Sequence, residues 1–354
     1  TFELPAGNGG ILPSQTTSLV ESFINSGVQT IAPGAFDNLT SLTSISNAFG
    51  SNLQYVPESL FINCSSLETA DSAFARCSNL GTWTTIIINE ENAIDITAEQ
   101  LIEANIEATQ NINTHLCNPV NKLSWTYNVA TGKWKRDAVY YPPNIFSYDT
   151  KIFNAPSLTN IKGLFYGCNK LARSNAATAT LNDFFEPLTS LTTCVGAFAG
   201  CTNLDFTFGT ESIFEKCAAT IEHVDALFFK SGLSCIPQNI FKRSSGTFSK
   251  LTTARGLFAN CKNINTEVLD ATNKIDEEFF KSATALQYIG NSASMDNVTY
   301  GIAYSNHINC QGMFANTSVY VDTKALYPLV NLKDLSGLFF AGKCTEVSAV
   351  PSST

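Results

Sequence analysis

Charged residues are scarce in this chain, at 14% of its 354 residues, against about 25% in an average globular protein. Those present are unbalanced, with 21 Lys and Arg against 30 Asp and Glu, for a formal net charge of −9. Because nucleic acid and anionic membrane surfaces both require a basic footprint, neither is expected as the main partner. No apolar run approaches the about 20 residues of a membrane span, so we expect no membrane-spanning segment.

Histidine is rare, with three residues, whereas cysteine is abundant, with 11. The odd number and wide spacing of the cysteines do not match a small disulfide scaffold, and no Cys-x-x-Cys pair supports a zinc site. We interpret six cysteines at equivalent repeat positions as a column of buried thiols, with disulfides between neighbouring coils and zinc binding as the alternatives. These six are Cys64, Cys77, Cys168, Cys201, Cys217 and Cys261.

One phrase recurs along the chain: small or apolar residues at positions 0, 3 and 6, Phe at position 7, often Cys at 10, and an apolar residue at 13. It is clearest from Leu67 to Leu80 and from Leu158 to Leu171. A recurring phrase of this kind is the signature of a repeat architecture, and Phe at a fixed position predicts an aromatic column through the core. The nine Phe markers are Phe23, Phe49, Phe74, Phe165, Phe198, Phe228, Phe258, Phe314 and Phe339.

A second phrase, Ile or Val, then Pro, then an apolar-Phe pair, lies between these copies, as in Val56-Pro57 before Leu60-Phe61. A coil of 25 to 30 residues cannot bury its apolar side alone, so coils stack into a continuous core. The run before each Pro favours a short parallel strand, and the spacing of the Phe phrase is closer to helical. We therefore predict an α/β repeat solenoid, leucine-rich-repeat-like, with short parallel strands, short helical turns and about ten coils.

The repeat is interrupted twice, by residues 82–141 and by a polar, turn-rich stretch at about 287–308. The predicted division is residues 1–81, repeats; 82–141, a small α+β insertion; and 142–354, repeats continuing the same solenoid. Within the insertion, alternating segments around Ala130-Thr131-Gly132 predict a β-hairpin. It carries Trp125 and Trp134, which are either a cross-strand pair packed on the solenoid or an aromatic platform for a sugar or partner.

The phrases resemble the BspA-type leucine-rich repeats, most clearly at Phe36-Asp-Asn-Leu-Thr-Ser-Leu-Thr-Ser-Ile45 and Phe185-Glu-Pro-Leu-Thr-Ser-Leu-Thr-Thr-Cys194. That family occurs in cell-surface proteins of gut and oral anaerobic bacteria and of some mucosal protozoa. The resemblance implies export, often as a lipoprotein or anchored protein, and adhesion to host, matrix or microbial partners. It implies no catalytic residues.

Reactive groups do not assemble into a recognisable site. His115–Cys117 and His307–Cys310 lack a second metal half-site nearby, and the acidic pairs Glu90–Glu91 and Glu277–Glu278 are read as solvated side chains rather than glycosidase carboxylates. No base lies beside a nucleophile. We therefore predict no enzyme, no catalytic, cofactor-binding or metal-binding residue and no cofactor, and the ligand-binding residues stay unassigned.

The predicted function is non-catalytic binding or adhesion at the cell surface, through the solenoid, to a protein or glycan. The predicted protein is an exported monomer, outer-membrane-anchored or secreted, with a lipid anchor on a preceding segment as one mode of attachment. One alternative is a carbohydrate-binding or glycan-processing accessory function in the insertion. Another is a structural spacer of the surface layer.

Overall fold

The described part of the computed structural model contains seven short strands, one short helix and many tight turns. The structure describes residues 2–4, 12–31, 34–54, 60–80, 121–128, 133–140, 152–171, 180–204, 206, 208–264, 274–290, 312–322, 324–340 and 343–346. The strands are β1 Phe2–Leu4, β2 Val28–Ile31, β3 Asn121–Asn128, β4 Lys133–Tyr140, β5 Lys274–Ile275, β6 Ser318–Val321 and β7 Lys343–Glu346, and the helix is α1 Leu181–Phe185.

Successive coils are joined side by side by single-residue parallel bridges. Each coil contributes one residue to this ladder, and the bridges connect nine coils in the described part of the chain. The backbone amides on either side of the ladder residue bond to the two neighbouring coils. Next to Thr193, for example, Thr192 N–H donates to Thr159 O (2.9 Å) and Cys194 N–H donates to His223 O (3.1 Å). The nine ladder residues are Ser18, Ser44, Thr69, Asn160, Thr193, His223, Thr253, Tyr288 and Asp334.

The interior is built from columns of identical or similar side chains, as the recurring phrase predicts. Leu158, Ile161, Leu164 and Cys168 are fully buried in one coil, and equivalent positions are buried in the others. All nine Phe markers stack in one continuous column, with ring centroids 4.8 to 6.1 Å apart and ring planes within 20° of parallel. The predicted aromatic column is confirmed.

The turns around the Phe markers are not helical, so that part of the fold prediction is wrong for the described coils. Each coil makes consecutive four-residue turns, in which an N–H donates to the carbonyl oxygen three residues earlier, as from Leu164 to Ile161 and from Cys168 to Phe165, both 3.1 Å. Left-handed residues separate these turns, two of them in each of five described coils, for example Gly163 (φ 57°) and Gly167 (φ 73°), and a regular right-handed helix does not contain such residues. The buried residues Leu158, Ile161, Leu164 and Cys168 are spaced by three or four, which resembles a helical period and explains the error.

Short parallel strands are present, but not in every coil. β2 pairs with β1, and β5, β6 and β7 form a three-stranded parallel sheet. The equivalent run from Leu233 to Ile236, before Pro237, has no strand assignment, so the strand prediction holds for some coils only. The single-residue ladder, which crosses a different part of each coil, is the more continuous connection.

The coils stack continuously on either side of both interruptions of the repeat. Phe61 bridges Phe153 and Thr69 bridges Asn160, so the coils before and after the first interruption are direct neighbours. The second leaves between Gly290 and Gly312, where Met313 N–H still donates to Ile289 O (2.9 Å). Inside the first, β3 and β4 form the predicted antiparallel hairpin.

Candidate functional site

The ladder residues and the residues next to them form one polar surface, here called the ladder face. Their backbone groups are used between coils, so only side chains are available to a ligand. These side chains are mostly half-buried or exposed, and they alternate along the chain with buried residues such as Leu191 and Cys194 on either side of Thr193. The local sequence of apolar, polar, polar, apolar residues therefore turns two side chains per coil outward.

The chemistry of the ladder face changes along the solenoid. The first coils carry hydroxyl groups, with Ser44, Ser46 and Thr69 joined by contacts of 3.2 and 3.4 Å between their hydroxyl oxygens. In the middle, Asp71 and Lys162 occupy equivalent positions of adjacent coils. Partial burial lowers the pKa of the Lys162 ammonium, and the Asp71 carboxylate opposes that shift. Ionisable and aromatic side chains are concentrated in the last four coils.

A buried carboxylate organises the ladder face in these last coils. Asp225 is 1% exposed, and it accepts hydrogen bonds from the Thr253 hydroxyl and from the Arg255 backbone N–H, both 2.5 Å. Because Thr253 gives its one hydroxyl proton to Asp225, it must accept from His223 Nδ1, which lies 3.0 Å away. The other imidazole nitrogen of His223, Nε2, lies 3.9 Å from Glu222.

Two cationic side chains meet on the ring of one ladder residue. The Arg255 guanidinium carbon lies 4.7 Å and the Lys333 ammonium nitrogen 5.8 Å from the centre of the Tyr288 ring. Within the described residues neither cation has a carboxylate within 4.0 Å, and Arg255 Nε is buried without an acceptor. Asp334, the next ladder residue, accepts from Ser336 N–H through Oδ1 (3.0 Å), while its buried Oδ2 has no donor among the described residues.

All six cysteines of the predicted thiol column are buried. Four of them share one position, three residues after a Phe marker, namely Cys77, Cys168, Cys201 and Cys261. Cys64 and Cys217 instead follow Phe61 and Phe214, which are not markers, so the single column predicted for all six is wrong for these two. Seven of the eight described cysteines are buried, and none of these seven forms a disulfide. The thiols of Cys168, Cys201 and Cys261 donate to the carbonyl oxygen of the Phe marker in the preceding coil, at 2.9 to 3.1 Å. Ser26 and Thr317 occupy the equivalent position and donate to the Phe marker of their own coil.

These thiols are unsuited to nucleophilic catalysis. Burial raises the pKa of Cys64, Cys77 and Cys217 to about 12, with the Asp37 carboxylate adding to the shift at Cys64. A nucleophilic cysteine requires the opposite shift, toward the thiolate. In the described part of the chain, no group of three or more His, Cys, Asp or Glu side chains is placed to hold a metal ion.

A small acidic cavity lies beside α1, with a volume of about 230 Å³ and a lining that includes Asp183, Glu186, Glu211 and Glu215. Glu215 is engaged by Arg243 at 3.3 Å. Asp183 accepts from Thr180 N–H at 2.6 Å, at the start of the helix. Glu215 and Asp183 therefore serve structural roles, and the lining of the cavity includes no ladder residue.

Several residues singled out from the sequence lie outside the described residues, namely His115, Cys117, His307, Cys310 and the pair Glu90–Glu91. Glu278 lies on the surface, where hydrogen bonding to Lys281 and the nearby Lys242 lower the pKa of its carboxyl. This placement agrees with a solvated side chain.

In the hairpin, Trp125 pairs with Arg136 and Trp134 pairs with Tyr127. The tryptophans are therefore not direct partners. Their alternative roles stay predictions.

Sequence reasoning did not find the ladder face cluster around Tyr288. The sequence did contain a signal for it. Position 2 of the phrase, two residues after its first apolar residue, is polar in every described copy, but its chemical type changes from copy to copy. His223, Tyr288 and Asp334 stand where the other described coils have Ser, Thr or, at Asn160, Asn. Aligning the copies on their Phe markers would have shown this variation.

Stacked coils with columns of buried Leu, Phe and Cys, joined by parallel bridges, define a repeat solenoid of the leucine-rich-repeat class. Residues 14–107 match the family model of the BspA type leucine-rich repeat region, in six copies. This match covers about a quarter of the chain, and over those residues it confirms the resemblance predicted from the phrases. No curated protein matches the chain. Among the described residues, no helix has the length and apolarity needed to span a membrane.

Proposed function

We propose that this protein is a non-catalytic binding or adhesion protein of the cell surface, which recognises a host, matrix or microbial protein or glycan through its ladder face. The observation that carries the proposal is the contrast between columns. The Phe marker column keeps one residue type in nine coils, whereas the ladder uses six types, Ser, Thr, Asn, His, Tyr and Asp, on the same backbone geometry. Variation at outward positions of a rigid scaffold is what a binding surface requires.

The size of the ladder face suits a macromolecular ligand. Neighbouring coils joined by parallel bridges lie about 4.8 Å apart, so eight intervals between nine ladder residues extend about 40 Å. That length accommodates an extended peptide of about a dozen residues or several sugar rings. The BspA-type repeats, whose family is associated with bacterial surfaces and protein binding, support the same role, and a place on the exported cell surface is part of this proposal.

The division of labour within the chain is also part of the proposal. Residues 1–81 and 142–354 form the binding solenoid, and residues 82–141 are an insertion that binding does not require. Because burial raises the pKa of the seven buried thiols, these cysteines supply structure rather than nucleophiles, which supports a function without catalysis. The isolated chain is proposed to act as a monomer.

A binding screen with matched variants tests this proposal. The purified chain is screened against a panel of extracellular matrix proteins and a glycan array, and dissociation constants are measured for each hit. Thr193→Arg places a long cationic side chain at the middle of the ladder, while Asn169→Arg places the same group on the exposed turn after Cys168, away from the ladder face. A third variant lacks residues 82–141.

We expect binding to be lost with Thr193→Arg, retained with Asn169→Arg and retained when residues 82–141 are deleted. Circular dichroism confirms that each variant is folded. Binding that survives Thr193→Arg but disappears with the deletion would instead place the function in the insertion. A folded chain without any hit that self-associates in sedimentation would support the structural spacer.

A further inference from the structure

One position of the ladder face presents hydrogen-bond acceptors in six successive coils. It is the residue immediately before the ladder residue, and it is threonine in four of these coils and glutamate in the other two. All six residues are half-buried or exposed, so a ligand on the ladder face can reach them. These residues, here called the acceptor row, are Thr43, Glu68, Thr159, Thr192, Glu222 and Thr252.

The four threonines of the acceptor row use their hydroxyl protons within the solenoid. Each hydroxyl donates to a backbone carbonyl oxygen of the preceding coil at 2.9 to 3.3 Å, as Thr192 does to Thr159 O. A hydroxyl has one proton and two acceptor lone pairs, so each of these oxygens can still accept a hydrogen bond but has no proton left to donate. A carboxylate likewise only accepts. Threonine and glutamate differ in shape and charge, and the property that they share at this position is an acceptor without a donor.

The acceptor row has a defined length. In the last two coils of the ladder the same position holds Gln287 and Lys333, and both side chains carry N–H donors. Before the row, Thr17 belongs to the first coil of the ladder, so no preceding ladder coil receives its hydroxyl proton. Coils joined by parallel bridges lie about 4.8 Å apart, and the five intervals of the row therefore extend about 24 Å. A ligand that matches the row offers one hydrogen-bond donor to each coil along this length.

The spacing of the acceptor row favours an extended glycan over a peptide. An extended peptide rises about 3.4 Å per residue and turns alternate side chains to the same side, so equivalent donors recur about every 6.8 Å and lose register with the coils. One ring of a β-1,4-linked hexose chain is about as long as the distance between two coils. Each internal ring carries hydroxyl groups on both of its edges, so every coil meets a donor whichever way the ring is turned.

The charges around the acceptor row favour a neutral chain. Glu68 and Glu222 would repel an acidic glycan, as would the net charge of −9. A strongly basic ligand would be opposed by Lys162 and Arg255, which lie on the same face, two residues after the ladder residues of their coils. Four of the six acceptors in the row are uncharged hydroxyl oxygens, which suit the hydroxyl donors of a neutral sugar.

From the polarity, the spacing and the charge of these six residues we infer that the acceptor row binds a neutral, extended β-1,4-linked hexose chain, with one sugar ring over each coil. The threonine and glutamate oxygens accept hydrogen bonds from the sugar hydroxyls. The inference rests on the proposed function, because it assigns the class of ligand that the ladder face recognises.

Isothermal titration calorimetry on the whole chain tests this inference, with the β-1,4-linked hexaoses of glucose and mannose, and the corresponding trioses, as probes. Maltohexaose has the same number of glucose rings, but its α-1,4 linkages curve the chain, and hexalysine is a charged donor ligand. Thr192→Val keeps the shape of the side chain and removes the acceptor, whereas Thr192→Ser keeps the acceptor. The matched control is Thr202→Val, because the exposed Thr202 also donates its hydroxyl proton to the preceding coil, at Asn169 O (3.4 Å), but is not part of the ladder face. Circular dichroism confirms that each variant is folded.

We expect at least one of the two β-1,4-linked hexaoses to bind, and its triose, which spans half of the row, to bind about tenfold or more weakly. Thr192→Val should weaken binding about threefold to tenfold, the effect of one hydrogen bond, whereas Thr192→Ser and Thr202→Val should bind as the wild-type chain does. Equal binding of maltohexaose, equal binding to Thr192→Val, equal binding of triose and hexaose, or no binding of either β-linked hexaose would overturn the inference. Tighter binding of hexalysine would overturn the glycan in favour of a basic polypeptide. Macromolecular binding that is lost with Thr193→Arg, in the absence of hexaose binding, would refute the glycan and leave the proposed function standing.

Discussion

Removal of one ring from the centre of the Phe column is expected to destabilise the solenoid more than removal of a ring at its end. Phe74 is fully buried, and its ring centroid lies 4.8 Å from that of Phe49 and 5.3 Å from that of Phe165. Truncating a buried Phe to Ala costs about 3–5 kcal/mol of unfolding free energy. Two stacked neighbours and a site that cannot collapse favour the upper end, because each aromatic pair contributes about 0.5–1.5 kcal/mol.

Phe339 provides the comparison within the same chain. Its ring is partly buried and contacts one ring of the column among the described residues, that of Phe314 at 5.6 Å. Since part of its surface already faces water, Phe339→Ala should cost about 1–2 kcal/mol. Phe74→Leu keeps most of the apolar volume and removes the stacking, and should lie between the two at about 1–3 kcal/mol.

Urea unfolding followed by circular dichroism measures these differences, with the midpoint and the slope compared between variants. We expect the loss of stability to decrease in the order Phe74→Ala, Phe74→Leu, Phe339→Ala. Each coil of a repeat protein is stabilised by its neighbours. If Phe74→Ala makes the two halves of the solenoid unfold separately, the dependence of the unfolding free energy on urea concentration should also decrease. Equal losses at Phe74 and Phe339, or a loss below about 1 kcal/mol at Phe74, would refute the argument that the stacked column carries stability.

Two further predictions concern the thiols and the glycines. Alkylation followed by peptide mapping should leave Cys77 unlabelled in the native chain at pH 8 and label it in denaturant. Burial raises the pKa of the Cys77 thiol from 9.0 to about 12, so the buried thiol contributes its full stabilisation of the fold below pH 9. As the pH rises from 9 toward 12, the unfolded chain ionises first and the urea midpoint should fall. Rapid labelling of Cys77 in the native chain would contradict its burial. Gly290→Ala and Gly312→Ala should lower the free energy of unfolding by several kcal/mol, because an added Cβ would collide with the backbone at Ser336 and at Gly337, respectively. Gly27→Ala is the control, since its Cβ would meet nothing within 4 Å, and it should change stability by about 1 kcal/mol or less. Similar melting temperatures for all three variants would refute the close approach of neighbouring coils at Gly290 and Gly312.

The interior of the solenoid could be predicted from the sequence because each column places the same demand on every coil. A ring such as Phe165 must match the rings above and below it, so its type recurs and becomes visible as a repeat. The thiol column follows the same logic, since Cys168 and Cys201 each complete one hydrogen bond to a Phe carbonyl of the preceding coil. Side chains that contact their own equivalents leave a periodic record in the sequence.

The turns could not be predicted in the same way, because their geometry leaves an ambiguous record. Consecutive four-residue turns and a helix both place buried residues three or four positions apart. The distinguishing feature is the left-handed residue, and glycine marks it at Gly163 and Gly196 but not everywhere. Ser72 (φ 56°) and Ala226 (φ 53°) adopt the same conformation, which costs a non-glycine residue about 1–2 kcal/mol. The stacked coils compensate that cost, so residue type does not reveal the turn.

The ladder face was harder to predict for the opposite reason. Its side chains, from Thr193 to His223 and Tyr288, do not contact the column that fixes the repeat, and the backbone at these positions is already satisfied by its neighbours. Packing therefore permits any side chain that tolerates partial exposure, and the residue types at these positions can be determined by ligand binding instead. Asp225 is the informative exception, because a carboxylate at 1% exposure has to be fully hydrogen-bonded to be tolerated. That it is bonded to Thr253 and to the backbone of Arg255 indicates that this part of the face is organised around the arginine.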